Sequence, residues 1–281
     1  MFKSQRQTTL LLNTLSYIVI ISTVIFAIAP IVWTLLTSVK REEDIVTRNL
    51  QYIPQIVTFD NYVNIWNRSG FPTLIVNSAI TTAITLVICL IIGSLAGYAF
   101  SRFRFRGRTP LLLFYLVIRM FPVVLLIIPL FIILRDLGLL DTRHGLALAY
   151  TTFLLPLCVW MMKGFFDAIP IDLEEAARID GCTRLGALFR IVLPIARSGF
   201  VATAVFIGIA AWNEYLFALM LTTGQGSRTW PVGIQLMVGE FQLAWGQFSA
   251  GGILSIIPIM IFFAIVQRSL VRGMSAGAIK G

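Results

Sequence analysis

The chain has 281 residues, 58% of them apolar and only 12% charged, against about 25% charged in a typical soluble domain. With a mean hydropathy of +0.87, this composition excludes a water-soluble globular domain and makes lipid the solvent. The net charge of +9 is distributed between the apolar runs, so it does not imply a nucleic-acid partner.

A spanning helix needs about 20 apolar residues, and six runs meet that requirement, near 14–38, 73–100, 110–134, 145–166, 199–223 and 248–271. The first is too long for the apolar region of a signal peptide and no small-residue cleavage site follows it, so it is expected to be an uncleaved first helix. The segment 40–72 carries mixed charge, Pro54 and the aromatics Phe59, Tyr62 and Trp66, as in a short helix lying at headgroup depth. In the second run, the spacing of Gly93 and Gly97 permits close helix approach. The run S-R-F-R-F-R-G-R at 101–108 is read as a lipid-headgroup anchor. Pro122, Pro129, Pro156 and Pro258 each remove a backbone donor inside a predicted span. Neighbouring helices or a water-filled path satisfy the freed carbonyls, and both readings stay open.

Arg119 and Glu214 are the charged residues deepest in the predicted spans. Charges there are costly and default to functional hypotheses. Arg119, Asn213 and Glu214 are therefore candidates for a translocation path; the other reading is a buried Arg119–Glu214 pair. Cys89, Cys158 and Cys182 show no CxxC spacing and His144 is the single histidine, so no disulfide frame, metal site or catalytic centre is expected.

Basic residues report the topology. With the N-terminus inside, the inner segments hold Lys3, Arg6, Arg102, Arg104, Arg106, Arg108, Lys163, Arg178, Arg184, Arg190, Arg197, Arg268, Arg272 and Lys280, and the outer ones Lys40, Arg41, Arg48, Arg68, Arg135, Arg143 and Arg228. This twofold bias predicts that both termini are cytoplasmic.

The inner loop 167–199 is polar and helix-prone. Pro170 stops the fourth span. Asp172 is expected to cap a short helix, with Glu175 three residues later completing a capping box. Ala176 and Ala177 leave a small surface, and Gly181 ends the helix with positive φ. Thr183 caps a second helix through Leu185, Leu188, Phe189 and Val192, and Pro194 precedes the fifth span. From these residues alone, a mechanical joint and an ordinary amphipathic surface helix both remain open. The chain has no G-x-x-x-x-G-K-[ST] and hence no phosphate cradle, so energy comes from a partner or an ion gradient.

Residues 175–194, E-A-A-R-I-D-G-C-T-R-L-G-A-L-F-R-I-V-L-P, resemble the EAA motif of bacterial ABC importer permeases, E-A-A-x3-G-x9-I-x-L-P, at Glu175, Ala176, Ala177, Gly181, Ile191, Leu193 and Pro194. The resemblance runs along nearly the whole chain and is closest to the maltose-type sugar permeases. T-F-D-N-Y at 58–62, A-W-N-E-Y-L-F-A-L at 211–219 and the tail G-M-S-A-G-A-I-K-G at 273–281 also carry it. It implies an all-α polytopic membrane protein with six transmembrane helices: residues 1–72 as tail, first helix and outer loop; 73–271 as the transmembrane domain with its coupling-helix loop 167–199; and 272–281 as a cytoplasmic tail. It implies that Glu175 meets a cation on an ATPase, that Ala176 and Ala177 permit close packing on it, and that Gly181 and Pro194 shape the joint. Gly277, Lys280 and Gly281 of the tail are expected between the ATPase subunits, with a frayed end as the alternative. The outer loop 223–247, with Trp230 and Trp245, either reaches into a binding protein or anchors at the interface.

The implied partners are a second homologous permease, two ATP-binding subunits that use ATP and Mg, an extracytoplasmic sugar-binding protein and a sugar, all at the bacterial inner membrane. No cofactor is expected on this chain. The rival is a self-powered secondary transporter, which predicts intramembrane carboxylates and commonly a repeat. Only Glu214 is available, and no repeat is visible.

Overall fold

The computed structural model describes residues 2–49, 51–68, 70–237 and 244–278. The described residues form helices and connecting loops in two compact units. One unit holds α1 (Phe2–Ser38), α2 (Asp60–Asn67) and the first turns of the last helix, as far as Ile256. The other runs on from Phe71 to Leu236 and resumes at Ile257.

In the first unit, the apolar window of α1 is wholly unburied within the chain. The loop beyond it is organised by the buried Asn61, whose amide donates to the carbonyls of Ser38 (2.9 Å) and Lys40 (2.7 Å). Thr58 accepts the Asp60 N–H at 3.1 Å and starts α2. α2 buries Asn61 and Ile65 and leaves Trp66 exposed. The Gly246 N–H donates to Glu42 at 3.0 Å, which satisfies one free donor at the start of the last helix.

The second unit is built on α3 (Phe71–Arg102) packed along α6 (Arg143–Asp167). A Cβ at Gly93 would lie 2.5 Å from Cys158 Sγ, and one at Gly97 2.9 Å from the Lys163 backbone nitrogen. Both glycines are thus required by the close approach predicted from their spacing. Cys89 and Cys158 are free and buried; the Cys158 thiol donates to the Cys89 carbonyl at 3.1 Å.

Two predicted spans are discontinuous. The run 110–134 is divided into α4 (Arg108–Met120) and α5 (Val124–Asp136), bent by 101°. Pro122 explains the break: it lacks an N–H and drives the residue before it out of helical geometry, and Phe121 sits at ψ 135°. Pro129, Pro156 and Pro258 stay inside helices.

The other break concerns the hairpin and the fifth predicted run. α7 (Asp172–Ile179) and α8 (Arg184–Ile195) follow α6, and α9 (Arg197–Trp212) leaves α8 at 81°. The expected run 199–223 is not one helix: it stops at Trp212 and resumes as α10 (Leu216–Leu221). Among the described residues, four helices are long and apolar enough to cross a bilayer, and counting each bent pair as one span gives up to six.

On the side of this unit away from the hairpin, Asp141 has φ 57°. Its carboxylate accepts the N–H groups of Thr223 (2.8 Å) and Gly224 (3.0 Å) and the hydroxyls of Thr223 and Ser227. Asn77 donates to the carbonyls of Gln225 and Arg228, and Ser78 accepts the Trp230 N–H at 2.7 Å. Residues 222–230 are therefore pinned and lead into α11 (Trp230–Gln235). Trp230 is not an interface anchor: it is fully buried, edge-on to Phe71 at 4.7 Å. Residues 238–243 of the predicted outer loop lie outside the described residues. The last helix, α12 (Trp245–Ala278), ends the described residues.

Candidate functional site

The α7–α8 hairpin forms with one change from its predicted capping. Asp172 does not cap α7. Ile171 is already helical at φ −66°, ψ −28° and no side chain caps the helix. The chain thus enters helical geometry one residue early, and Asp172 and Glu175 lie exposed in the first turn of α7, where the helix dipole favours negative charge. The carboxylate that turns inward is Glu174, 5% exposed. It accepts a 2.7 Å hydrogen bond from the Tyr98 hydroxyl and pairs with the Arg102 guanidinium, which also donates to the Ile169 carbonyl at 2.9 Å. Arg102, read as a headgroup anchor, is therefore an interior group. Glu174 was not among the predicted site residues. Its signal was the three-residue spacing to Ala177, which places the two on one face of α7.

The turn follows the sequence closely. Gly181 has φ 92°. Its N–H bonds to the Arg178 carbonyl (3.1 Å) and the Cys182 N–H to that of Ala177 (3.0 Å), which is the Schellman arrangement that needs glycine. Thr183 accepts the Gly186 N–H at 3.1 Å and caps α8. α8 widens into a π turn over Leu188–Val192, just before Pro194. Two i,i+4 stripes then separate. Leu188 and Val192 are buried, whereas Leu185 is 58% and Phe189 60% exposed. Ala177 is buried and Ala176 exposed, so only Ala176 is free to pack against another protein. Ile179, at the tip, is 87% exposed. The Arg184 guanidinium lies 4.9 Å from the Phe103 ring, fixing the start of α8 to the 101–108 segment.

The structure separates the two membrane charges. Glu214 caps α10, accepting the N–H groups of Phe217 (2.9 Å) and Ala218 (3.2 Å). Arg119 ends α4 with its guanidinium 5.8 Å from the Phe153 ring. The ion pairs among the described residues include none between them, so the paired reading is corrected: Glu214 is engaged by its own helix and Arg119 is exposed, each next to a helix break. Asn213 lies in the second break and donates to the Ile209 carbonyl at 2.9 Å. Gly277 falls in α12, while Lys280 and Gly281 lie outside the described residues.

Residues 89–276, which contain the hairpin and both breaks, match the family described as the binding-protein-dependent transport system inner membrane component. The chain belongs to that family. Among its curated relatives, the trehalose transport system permease protein of Mycobacterium tuberculosis is 40% identical over 258 residues, covering 91% of this chain and 93% of the relative. The sulfoquinovosyl glycerol transport system permease protein of Agrobacterium fabrum is 37% identical over 252 residues, covering 90% and 88%. The fold of this family member also matches a chain of a bacterial ABC transporter involved in importing the acidic polysaccharide alginate, with a TM-score of 0.80, 23% identity and coverage of 92% and 96%.

Proposed function

We propose that this chain is a transmembrane subunit of an ATP-driven importer that moves a sugar or oligosaccharide across the bacterial inner membrane, with the α7–α8 hairpin as its coupling helix. One observation carries the reading: the hairpin is locked to α3 on one side and offers an unpartnered surface of Glu175, Ala176, Ile179, Leu185 and Phe189 on the other. Exposed apolar side chains rimmed by charge mark a protein-docking surface. Two ATP-binding subunits, which hydrolyse ATP with Mg as cofactor, dock there, and Glu175 meets a cation on one of them. A second homologous permease and an extracytoplasmic sugar-binding protein complete the assembly. Both termini and the hairpin face the cytoplasm, the tail residues Gly277, Lys280 and Gly281 reach the ATPases, and the six spans are those counted with each bent pair as one.

Arg119, Asn213 and Glu214 border the path, because broken spanning helices are tolerated where backbone lines a cavity. Transport is alternating access: ATPase closure shifts the population between states that expose the cavity to opposite sides. Glu214 is spent on the N–H groups of α10, which favours ATP over ion coupling. The test is uptake of labelled sugars in cells lacking this chain. The sugar recognised by its binding protein should cease to enter, and undiminished uptake overturns the proposal. The orientation is tested at Cys182, which an impermeant thiol reagent should fail to reach in intact cells.

A further inference from the structure

We infer that Glu174, with Tyr98 and Arg102, is the positioning clamp that passes hairpin movement to α3, so that without it ATP is hydrolysed with little sugar imported. This rests on the coupling reading above. Of the eight residues of α7, only Glu174 and Ala177 are buried, and the other six are exposed. A force on the exposed face therefore passes from α7 to α3 through the Glu174 carboxylate.

Both carboxylate oxygens are engaged, by Tyr98 at 2.7 Å and by Arg102, whose side chain is only 10% exposed. Tyr98 is itself wedged edge-on between Phe103 and Phe166. Arg102 also holds the α6–α7 connector at Ile169, and Ser101 donates to Asp167 at 2.6 Å, at the end of α6. The last turn of α3 thus joins α6, the connector and α7 in one block. Above it, Gly93 and Gly97 press α3 against α6. A buried pair of this kind adds little net stability compared with a packed apolar pair, but it specifies geometry, and removing one partner strands a charge.

The experiment uses the whole transporter in proteoliposomes with its binding protein and sugar. It compares Glu174→Gln, Arg102→Gln and the exchanged Glu174→Arg/Arg102→Glu, with Gly181→Asp alongside. For the single variants we expect unchanged ATPase co-purification and a rise in ATP hydrolysed per sugar imported of roughly fivefold or more, the lower range of measured couplings. The exchanged pair should recover part of the ratio. An unchanged ratio in both single variants overturns the clamp, and so does loss of ATPase co-purification, because Glu174 would then be shaping the docking surface. If these variants do not accumulate, Tyr98→Phe, which keeps the charge pair, is judged by the same two criteria. Normal docking in Gly181→Asp overturns the coupling reading itself. Lost docking there together with a normal ratio in the Glu174 variants removes the clamp alone.

Discussion

Gly181 separates folding from coupling more cleanly than any other hairpin residue. Its φ is 92° and no atom lies within 4 Å of a built Cβ. A side chain there meets no neighbour, and the cost is the left-handed backbone alone, about 1–2 kcal/mol for an ordinary residue. That is a modest part of the roughly 5–15 kcal/mol that holds a typical fold. Gly181→Asn should cost less still, because asparagine tolerates this conformation. Gly181→Asp has nearly the same shape as Gly181→Asn but places a charge at the hairpin tip, two residues from the exposed Ile179. All variants should insert, and only Gly181→Asp should lose docking. Inserted protein, co-purified ATPase and sugar uptake are measured together. We expect near-normal values for Gly181→Asn and a fall of roughly tenfold in the last two for Gly181→Asp, which corresponds to about 1.4 kcal/mol of lost docking. Normal docking and uptake by Gly181→Asp would refute the reasoning.

Three further outcomes are expected. Gly97→Ala brings Cβ within 2.9 Å of the Lys163 nitrogen and Met162 Cβ and should destabilise by about 1–3 kcal/mol. Gly164→Ala, with nothing within 4 Å, should be neutral or slightly stabilising; equal melting temperatures for the two would contradict the packing. Burial alone would raise the Asp141 carboxyl, but the Gly224, Ser227 and Thr223 donors outweigh it and hold it at about 2, below its ordinary 3.8. Because the folded value is the lower one, this stabilisation is present above the unfolded value and is lost as pH falls from 3.8 toward about 2. Hydrogen exchange at 222–229, corrected for intrinsic rate, should speed up across that window and, in Asp141→Asn, already at neutral pH. Finally, Glu214→Leu removes the α10 cap, about 0.5–2 kcal/mol, and Arg119→Leu removes a cation–π contact. The two losses in folded yield should add within about 0.5 kcal/mol, and a larger coupling would restore the pair.

The hairpin was legible because its signals are local. Pro170 and Gly181 act through their own backbone and Thr183 through its hydroxyl, all within a few residues, and the turn forms where they stand. The choice between Glu174 and Glu175 was not legible. The two are adjacent carboxylates, and which one turns inward depends on the rotation of α7, set by Tyr98 and Arg102 more than seventy residues earlier. The break at Phe121–Val123 has a proline to announce it. That at Asn213–Tyr215 has neither proline nor glycine, only a glutamate three residues ahead of the N–H it caps. In sequence, such a glutamate looks like any other membrane charge. The burial of Trp230 was equally hidden, since Ser78 and Phe71 reach it from the far end of α3, where Asn77 holds the carbonyl of Arg228 just before it.

The central claim is that a partner's ATP hydrolysis, and no ion gradient, drives a sugar past this chain. The most direct measurement is sugar uptake into proteoliposomes holding the complete transporter, with ATP supplied on the ATPase side and ionophores collapsing every gradient. The account predicts uptake that needs ATP and the binding protein and is indifferent to the ionophores. Uptake driven by an imposed ion gradient without ATP would contradict it.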